Sequence, residues 1–574
     1  MRSSRHLVQL LVSPILLVVA ACGGAPPMDS GTVADLVLRG GRVVTVDSAM
    51  PEAEAIAIGG DTIIAVGTDD DIALYIGDAT EVIELDGMMA MPGFIESHAH
   101  FVGIGDAKMQ LDLMTVSNWD EIVAMVGAAA RDAGPDELIR GRGWHQEKWD
   151  RPPSPSVGGL PTHASLDSVS PNNPVVLRHA SGHASFANAR AMELAGITRD
   201  TPDPSGGEIV KDENGDPIGM FRETAQGLLA AASRNAAPPD PDRQIELAIE
   251  EVLSKGITTL HDAGSGFDTI DRLKARADAG TLGLRLYVMV RADNDALRDR
   301  IADYRMIGVG DDALTVRAIK VTIDGALGPH GAWLLESYAD LPSSSGLNTR
   351  PIASLEETAA ISMEHDLQLN VHAIGDRANR EVLDVFERAF AANPERTDPR
   401  WRIEHAQHLN AQDIPRYGEL GVIAAMQGIH ATSDAPWVIE RLGEARAEEG
   451  AYVWQKLMQS GAVIANGTDA PVEDVSPIAS YYATVSRKLA DGTVWFGDQR
   501  MSRLEALRSY TLNGAFAAFE EDTKGSVVPG KLADITVLSK DITTIPEDEI
   551  PTTEVVYTIV GGVVMYRRDA ANMP

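Results

Sequence analysis

The feature that most constrains how this 574-residue chain can fold is a recurrence of eight short apolar runs, each of strand length and separated by longer segments of helical periodicity. They extend from about Phe94 to His100, Thr258 to Ala263, Leu284 to Arg291, Val316 to Asp324, Leu367 to Ala373, Arg402 to Ala406, Val422 to Gln427 and Ala462 to Asp469. Apolar runs that alternate with helical segments are the mark of βα units and a parallel sheet. Eight such units predict an α/β protein built as a (β/α)8 TIM barrel, whose active site lies at the C-terminal ends of the strands.

One interval breaks the rhythm. The stretch 101–243, between the first two strands, is far too long for a single βα unit. It carries strand candidates of its own at Leu138–Trp144 and Val175–Ala180, and a hairpin at Glu208–Phe221 turning at Asn214-Gly215. It is expected to be an insertion over the barrel mouth and the source of substrate selectivity. The two ends of the chain share another style, short strands with glycine turns, as in Asp35–Val46 and Val555–Tyr566. They predict a small composite β-sandwich from 34–90 and 525–570, with the barrel occupying 91–524.

The chain starts with Arg2 and Arg5 ahead of an apolar run, Leu7–Ala21, that is too short and too abruptly ended to span a bilayer stably. Val19-Ala20-Ala21-Cys22 follows, and Cys22 is the one cysteine of the chain, so no disulfide forms within it. This segment resembles a bacterial lipoprotein signal. The resemblance implies a signal peptide over 1–21, lipidation of Cys22, a flexible tether over 22–33, and a lipid anchor to the cell envelope on the periplasmic or outer face. Acidic residues number 84 against 49 Lys plus Arg, a formal net charge of -35 spread along the chain. Such a field repels phosphate backbones, so no nucleic-acid partner is expected.

The chemistry gathers at the strand ends. His98 and His100 are separated by one residue on a strand, and alternation points them the same way, close enough to share a divalent ion. By itself an H-x-H pair is a weak signal. Lys320, His372, His405 and Asp469 fall late in four other strands, where barrel catalysis is built, and four imidazoles with a carboxylate suit one or two ions such as zinc. Lys320 is the odd member, since an ammonium beside metal ions inside a barrel is desolvated and repelled.

The chain resembles the amidohydrolase superfamily, in its amidohydrolase-3 branch, which includes metal-dependent exoenzyme and formamide-deformylase-like proteins. The resemblance rests on Met91-Pro92-Gly93-Phe94-Ile95-Glu96-Ser97-His98-Ala99-His100, on Lys320 with Asp324–Gly328, on Val371–Ala378, Arg402–Gln407 and Gly467–Pro471, and on Pro529–Asp534. It implies that His98, His100 and Asp469 hold one metal, His372 and His405 another, and that Lys320, carboxylated by carbon dioxide, bridges them. If Lys320 stays an amine, a single ion held by His98, His100, His372 and Asp469 describes the site. Glu96 stands where the superfamily more often has Asp, and Thr468 where Ser is common.

The implied reaction is attack of a metal-bound hydroxide on a carbonyl carbon, with Asp469 passing the proton to the leaving amine. The substrate is then a small-molecule amide of the N-acyl or N-formyl type. Ester, lactone or phosphoester hydrolysis at the same metals is the second reading. A third, a non-catalytic solute-binding lipoprotein, is disfavoured by the complete ligand set. In the insertion His183 is the candidate for contacting a substrate carbonyl, and Gln427 and His430 stand at the mouth after strand seven. His145, His163, His261, His330, His365 and His408 read as structural, and Trp144, Trp149 and Trp333 as either pocket wall or packing.

Overall fold

The structure is a computed structural model that describes residues 32–233 and 240–569; the apolar leader and Cys22 lie outside the described residues. Each of the eight apolar runs forms a strand: β1 (Phe94–Ala99), β2 (Ile257–Ser265), β3 (Arg285–Val290), β4 (Leu314–Thr322), β5 (Gln368–Ala373), β6 (Arg402–His405), β7 (Ile423–Gln427) and β8 (Ile464–Gly467). Neighbours in sequence are neighbours in space, and every pair from β1 to β8 is parallel. The residues just past β8 complete the ring at its C-terminal rim, where Asp469 N donates to His98 O at 2.8 Å and His100 N donates to Ala470 O at 2.7 Å. These two bonds fix the segment that carries Asp469 against the one that carries both histidines.

Gly467 permits that approach. A Cβ there would stand 2.3 Å from Glu96 Oε1, 2.7 Å from His98 N and 2.9 Å from His98 O. Gly467→Ala is therefore expected to destabilise the fold by about 1–3 kcal/mol, as overpacked interiors do, and to part β8 from β1; urea denaturation measures it, and an unchanged midpoint would contradict the close approach.

A six-stranded sheet draws on both ends of the chain, in the order Val563–Arg567, Val555–Val560, Ile535–Leu538, Met89–Pro92, Arg42–Val44, Glu52–Ala53. It shares a core with a four-stranded sheet of Thr62–Gly67, Ala55–Gly59, Leu36–Arg39 and Glu81–Glu84, through Leu38, Ile56, Ile58, Val537 and Ile559 among others. A buried ion pair joins this unit to the barrel: Arg285 of β3 donates to Asp534 through Nε (2.7 Å) and Nη2 (3.0 Å).

The long segment after β1 builds its own six-stranded sheet, with a hairpin of Gly207–Lys211 and Pro217–Glu223. Its turn runs through Asn214 and Gly215, where φ of +82° suits glycine and Asp212 accepts from Asn214 N and Asp216 N. Trp144 and Trp149 belong to the core of this sheet, with Trp119 and Phe186, and Trp144 Nε1 donates to Leu177 O at 2.9 Å. They are packing residues, Trp144 buried and Trp149 half-buried, because the sheet needs a hydrophobic face against the helix Trp119–Asp132. The sheet is moored to the barrel rim where Arg142 Nε donates to Pro471 O at 3.1 Å.

Candidate active site

The rim of the barrel brings His98, His100, Lys320, His372, His405 and Asp469 onto one cavity of about 900 Å³. Potential ligand atoms of His98, His405 and Asp469 all lie within 4.8 Å of one another. His100 Nε2 is 3.2 Å from Asp469 Oδ1, and His98 Nε2 is 3.5 Å from the same oxygen. The ring of His405 stands between the others, 4.7 Å from that of His98 and 4.3 Å from that of His372. His405 thus neighbours both rings and is nearer that of His372.

Backbone and neighbours aim these side chains. His405 (φ +80°) and Asp469 (φ +56°) adopt left-handed conformations at the ends of their strands, an uncommon backbone that turns both side chains inward. His98 Nδ1 is in contact with Glu404, and Arg402 holds that carboxylate, its Nε 2.8 Å from Oε1. Burial alone would raise the Glu404 pKa, yet Arg402 and His98 hold it well below the ordinary carboxylate range. An ionised Glu404 only accepts, so His98 donates from Nδ1 and its Nε2 lone pair faces the cavity. Gln427 Oε1 does the same for His405, 2.8 Å from Nδ1.

Electrostatics leave a set of neutral imidazoles around an anion. Burial brings His100 down to about 4, and burial with neighbouring positive charge takes His372 and His405 well below 6.5. His98 is the exception: burial and Lys320 oppose its protonation, but Glu404 and Asp469 raise it. Asp469, which burial would push up, is held well below the usual range by the close rings of His100 and His98. Lys320 is 2% exposed and burial lowers it to about 8.

A divalent cation fits these residues. His98 Nε2 and Asp469 Oδ1, 3.5 Å apart, are buried polar atoms without hydrogen-bond partners, as is His372 Nε2 elsewhere on the cavity, a costly state unless something electropositive is bound. Imidazole nitrogens and a carboxylate oxygen are the donor set that zinc and its neighbours prefer.

Two further carboxylates brace the rim. Glu96 Oε1 accepts from His98 N (3.1 Å) and Thr468 N (2.9 Å), clamping β1 to β8, and burial raises its pKa to about 8. Asp324 accepts from the backbone N–H groups of Trp333, Ile374 and Gly375 and lies 3.6 Å from His372 Nε2. Neither Arg402, Glu404 nor Asp324 stood out in the sequence as a site residue. A signal was present in β6, where Arg402 and Glu404 alternate on one face of an otherwise buried strand, because such a pair inside a barrel needs a charged partner.

His183 comes from the insertion with its ring 5.4 Å from that of His372, and its Nδ1 donates to Glu223 Oε2 at 2.8 Å. Burial opposes its protonation, but Glu223 raises its pKa. His430 stacks parallel to His405 at 6.5 Å, and its buried Nε2 has no partner. Both face a recess beside the metal-ligand candidates that also exposes Lys148, Gln407 and Asp434. His145, read from sequence as structural, lines this recess against Trp437, whose ring is 4.7 Å away. Trp333 contributes its backbone N–H to Asp324 and its ring to Arg377.

Comparison with known proteins agrees with this geometry. The sequence model of the Amidohydrolase family matches residues 81–566. Protein LONG AFTER FAR-RED 3 of Arabidopsis thaliana is 33% identical over 554 residues, covering 94% of this chain and 93% of its own. N-substituted formamide deformylase of Arthrobacter pascens is 28% identical over 546 residues, covering 93% and 98%. Among solved structures, a metal-dependent hydrolase from Pyrococcus horikoshii superimposes with a TM-score of 0.70 at 25% identity, over 89% of this chain and 99% of that one.

Proposed function

The chain belongs to the amidohydrolase family, and from that premise we propose that it hydrolyses the carbon–nitrogen bond of a non-peptide amide of the N-acyl or N-formyl amine type. One or two divalent ions, zinc in the first place, would be held by His98, His100, His372, His405 and Asp469. Lys320 would bridge two ions once its amine has added to carbon dioxide and lost a proton. The observation that carries the reading is the convergence of His98, His405 and Asp469, whose ligand atoms lie within 4.8 Å of one another, with His98 Nε2 and Asp469 Oδ1 buried and unpartnered. When bound, the ions supply Lewis acidity, which lowers the pKa of water from about 15.7 toward about 7 and polarises a carbonyl.

The rest is the work of the chain. Asp469, kept ionised by His98 and His100, takes up the proton of the attacking water and delivers it to the departing nitrogen. Glu404 and Gln427 fix the rings of His98 and His405 through Nδ1, leaving Nε2 of each for the ion. His183, gripped by Glu223, presents its other ring nitrogen to a substrate oxygen. The insertion covers the cavity and limits access of water.

The test is a panel of N-formyl and N-acyl amines set beside the matching esters, lactones and phosphoesters, with the zinc-loaded protein and detection of the released amine. Amide turnover with release of the free amine is expected. Turnover of the oxygen esters without any of the amides would overturn the assignment of the bond. For location, we propose export and lipid attachment at Cys22, supported by the Val19-Ala20-Ala21-Cys22 junction behind the apolar run; no helix among the described residues is long and apolar enough to cross a membrane.

A further inference from the structure

The cavity that holds the metal-ligand candidates is also lined by Arg142, Arg178, Arg291 and Arg350, in a chain whose net charge is -35. Two of these come from the insertion, one follows β3 and one follows β4, so the fold assembles them from separate places. Arg142 is 9% exposed and spends Nε on Pro471 O and Nη2 on Ala180 O. Arg178 donates to Gly182 O, Arg291 to Thr322 Oγ1 and Arg350 to Ser354 Oγ. Among the described residues none of the four forms an ion pair within 4 Å of a carboxylate. The acids on the same wall are engaged elsewhere, Asp106 with Arg140, Glu223 with His183 and Asp469 with His100.

The guanidinium groups crowd together. A Cβ on Gly182 would lie 3.5 Å from Arg178 Nη2 and 3.9 Å from Arg142 Nη1, so both reach the same spot beside His183. A Cβ on Gly264 would lie 3.1 Å from Arg291 Cβ and 3.3 Å from Lys320 Cγ, which sets Arg291 next to the centre. Burial lowers the pKa of Arg142 to about 10 and lowers those of Arg178 and Arg291, and the neighbouring Arg178 adds to the effect for Arg142 and Arg291. Cations without a carboxylate partner, held close along the wall of an open cavity, repel one another in the free protein, and an anion relieves them through charge-assisted, fork-shaped bonds.

We propose that the substrate is an anion, an amide carrying a carboxylate that Arg142, Arg178 and Arg291 bind while its carbonyl lies at the metal-ligand candidates. This deepens the reading of the site as an amidohydrolase centre and rests on it for the identity of the scissile bond. The carboxylate lies at the far end of the molecule from that bond, and the arginines select it by charge and by length of spacer.

The test compares N-formyl ω-amino acids of graded length with N-formyl alkylamines of the same length, using the zinc-loaded full chain. One length of the acid series should show a kcat/KM about ten- to a hundredfold above its neutral counterpart, the range expected of hydrogen bonds to charged groups. Arg178→Gln and Arg291→Gln should each remove about tenfold or more of that preference, mainly through KM, and leave the neutral amides within about twofold. Arg178→Lys should restore part of it. Calorimetric titration with glutarate supplies a readout that needs no turnover: the wild-type chain binds it and the two Gln variants bind it at least about tenfold more weakly. Equal kcat/KM for acids and neutral amides at every length, or glutarate binding that the variants do not alter, would overturn the arginine subsite. If no amide of either series is cleaved, the amidohydrolase reading fails and the glutarate titration alone decides the subsite.

Discussion

Asp469→Asn is expected to lower kcat by about a thousandfold or more while the protein folds and keeps most of its metal. The variant retains an oxygen of the same shape at Oδ1, within reach of His98 Nε2 and His100 Nε2, so a coordinating atom remains. What it loses is the capacity to hold a proton. In the wild-type chain both histidine contacts stabilise the anion against burial, which keeps the group ready to accept a proton at neutral pH. An amide nitrogen leaves poorly as an anion, so its protonation belongs to the rate-limiting chemistry, and a carboxamide supplies none. Steady-state kinetics together with metal analysis of the same sample check this. Wild-type kcat in a metal-replete variant would remove Asp469 from the proton path.

The second large effect belongs to a residue that faces no substrate. Glu404→Gln keeps the shape of the side chain and removes its charge, leaving the buried guanidinium of Arg402 without its anion and His98 without a strong acceptor at Nδ1. Breaking a buried pair on one side costs about 3–5 kcal/mol, because a charge is left unpaired inside the barrel. Loss of the carboxylate behind a histidine ligand typically weakens metal binding by about ten- to a hundredfold. The two consequences separate in a double variant. Arg402→Met with Glu404→Leu removes both charges and should regain much of the stability, while zinc affinity stays low because His98 is still unbraced. Denaturant unfolding of the metal-free forms and competition titration with a chelator measure them independently. A Glu404→Gln protein with wild-type stability and wild-type affinity would contradict the role given to this carboxylate.

How much of this was legible in the sequence follows from how each feature is encoded. The barrel was legible because its signal is periodic: apolar runs of strand length, repeated eight times, admit few other arrangements, and the observed strands start and stop within two residues or so of those runs. The six candidate ligands were legible because each stands late in such a run, and the structure draws them around one cavity. The braces were harder to see. Glu404 and Asp324 sit in or just after buried strands, and their partners, His98 from another strand and the backbone N–H groups of Trp333 before β5 and of Ile374 and Gly375 after it, are set by the ring closure and by loops, not by local spacing. The arginine cluster was hidden for the same reason. Arg142, Arg178, Arg291 and Arg350 are scattered over more than two hundred positions of an acidic chain, and only the placement of the insertion over the rim makes them neighbours. The tryptophans gave an ambiguous signal: Trp144 and Trp149 serve the core of the insertion, and Trp437, on the helix Gly428–Leu442, supplies an aromatic wall of the recess.

The most direct test of the central claim is a metal count joined to a removal and restoration experiment on the full chain. Elemental analysis of the purified protein should find one or two divalent ions per chain, two if Lys320 is carboxylated as a bridge. Chelation should abolish amide hydrolysis, and zinc should restore it in the wild-type chain but not in one carrying His98→Ala with Asp469→Ala. A metal-free protein that cleaves its amide substrate at the full rate would contradict the account.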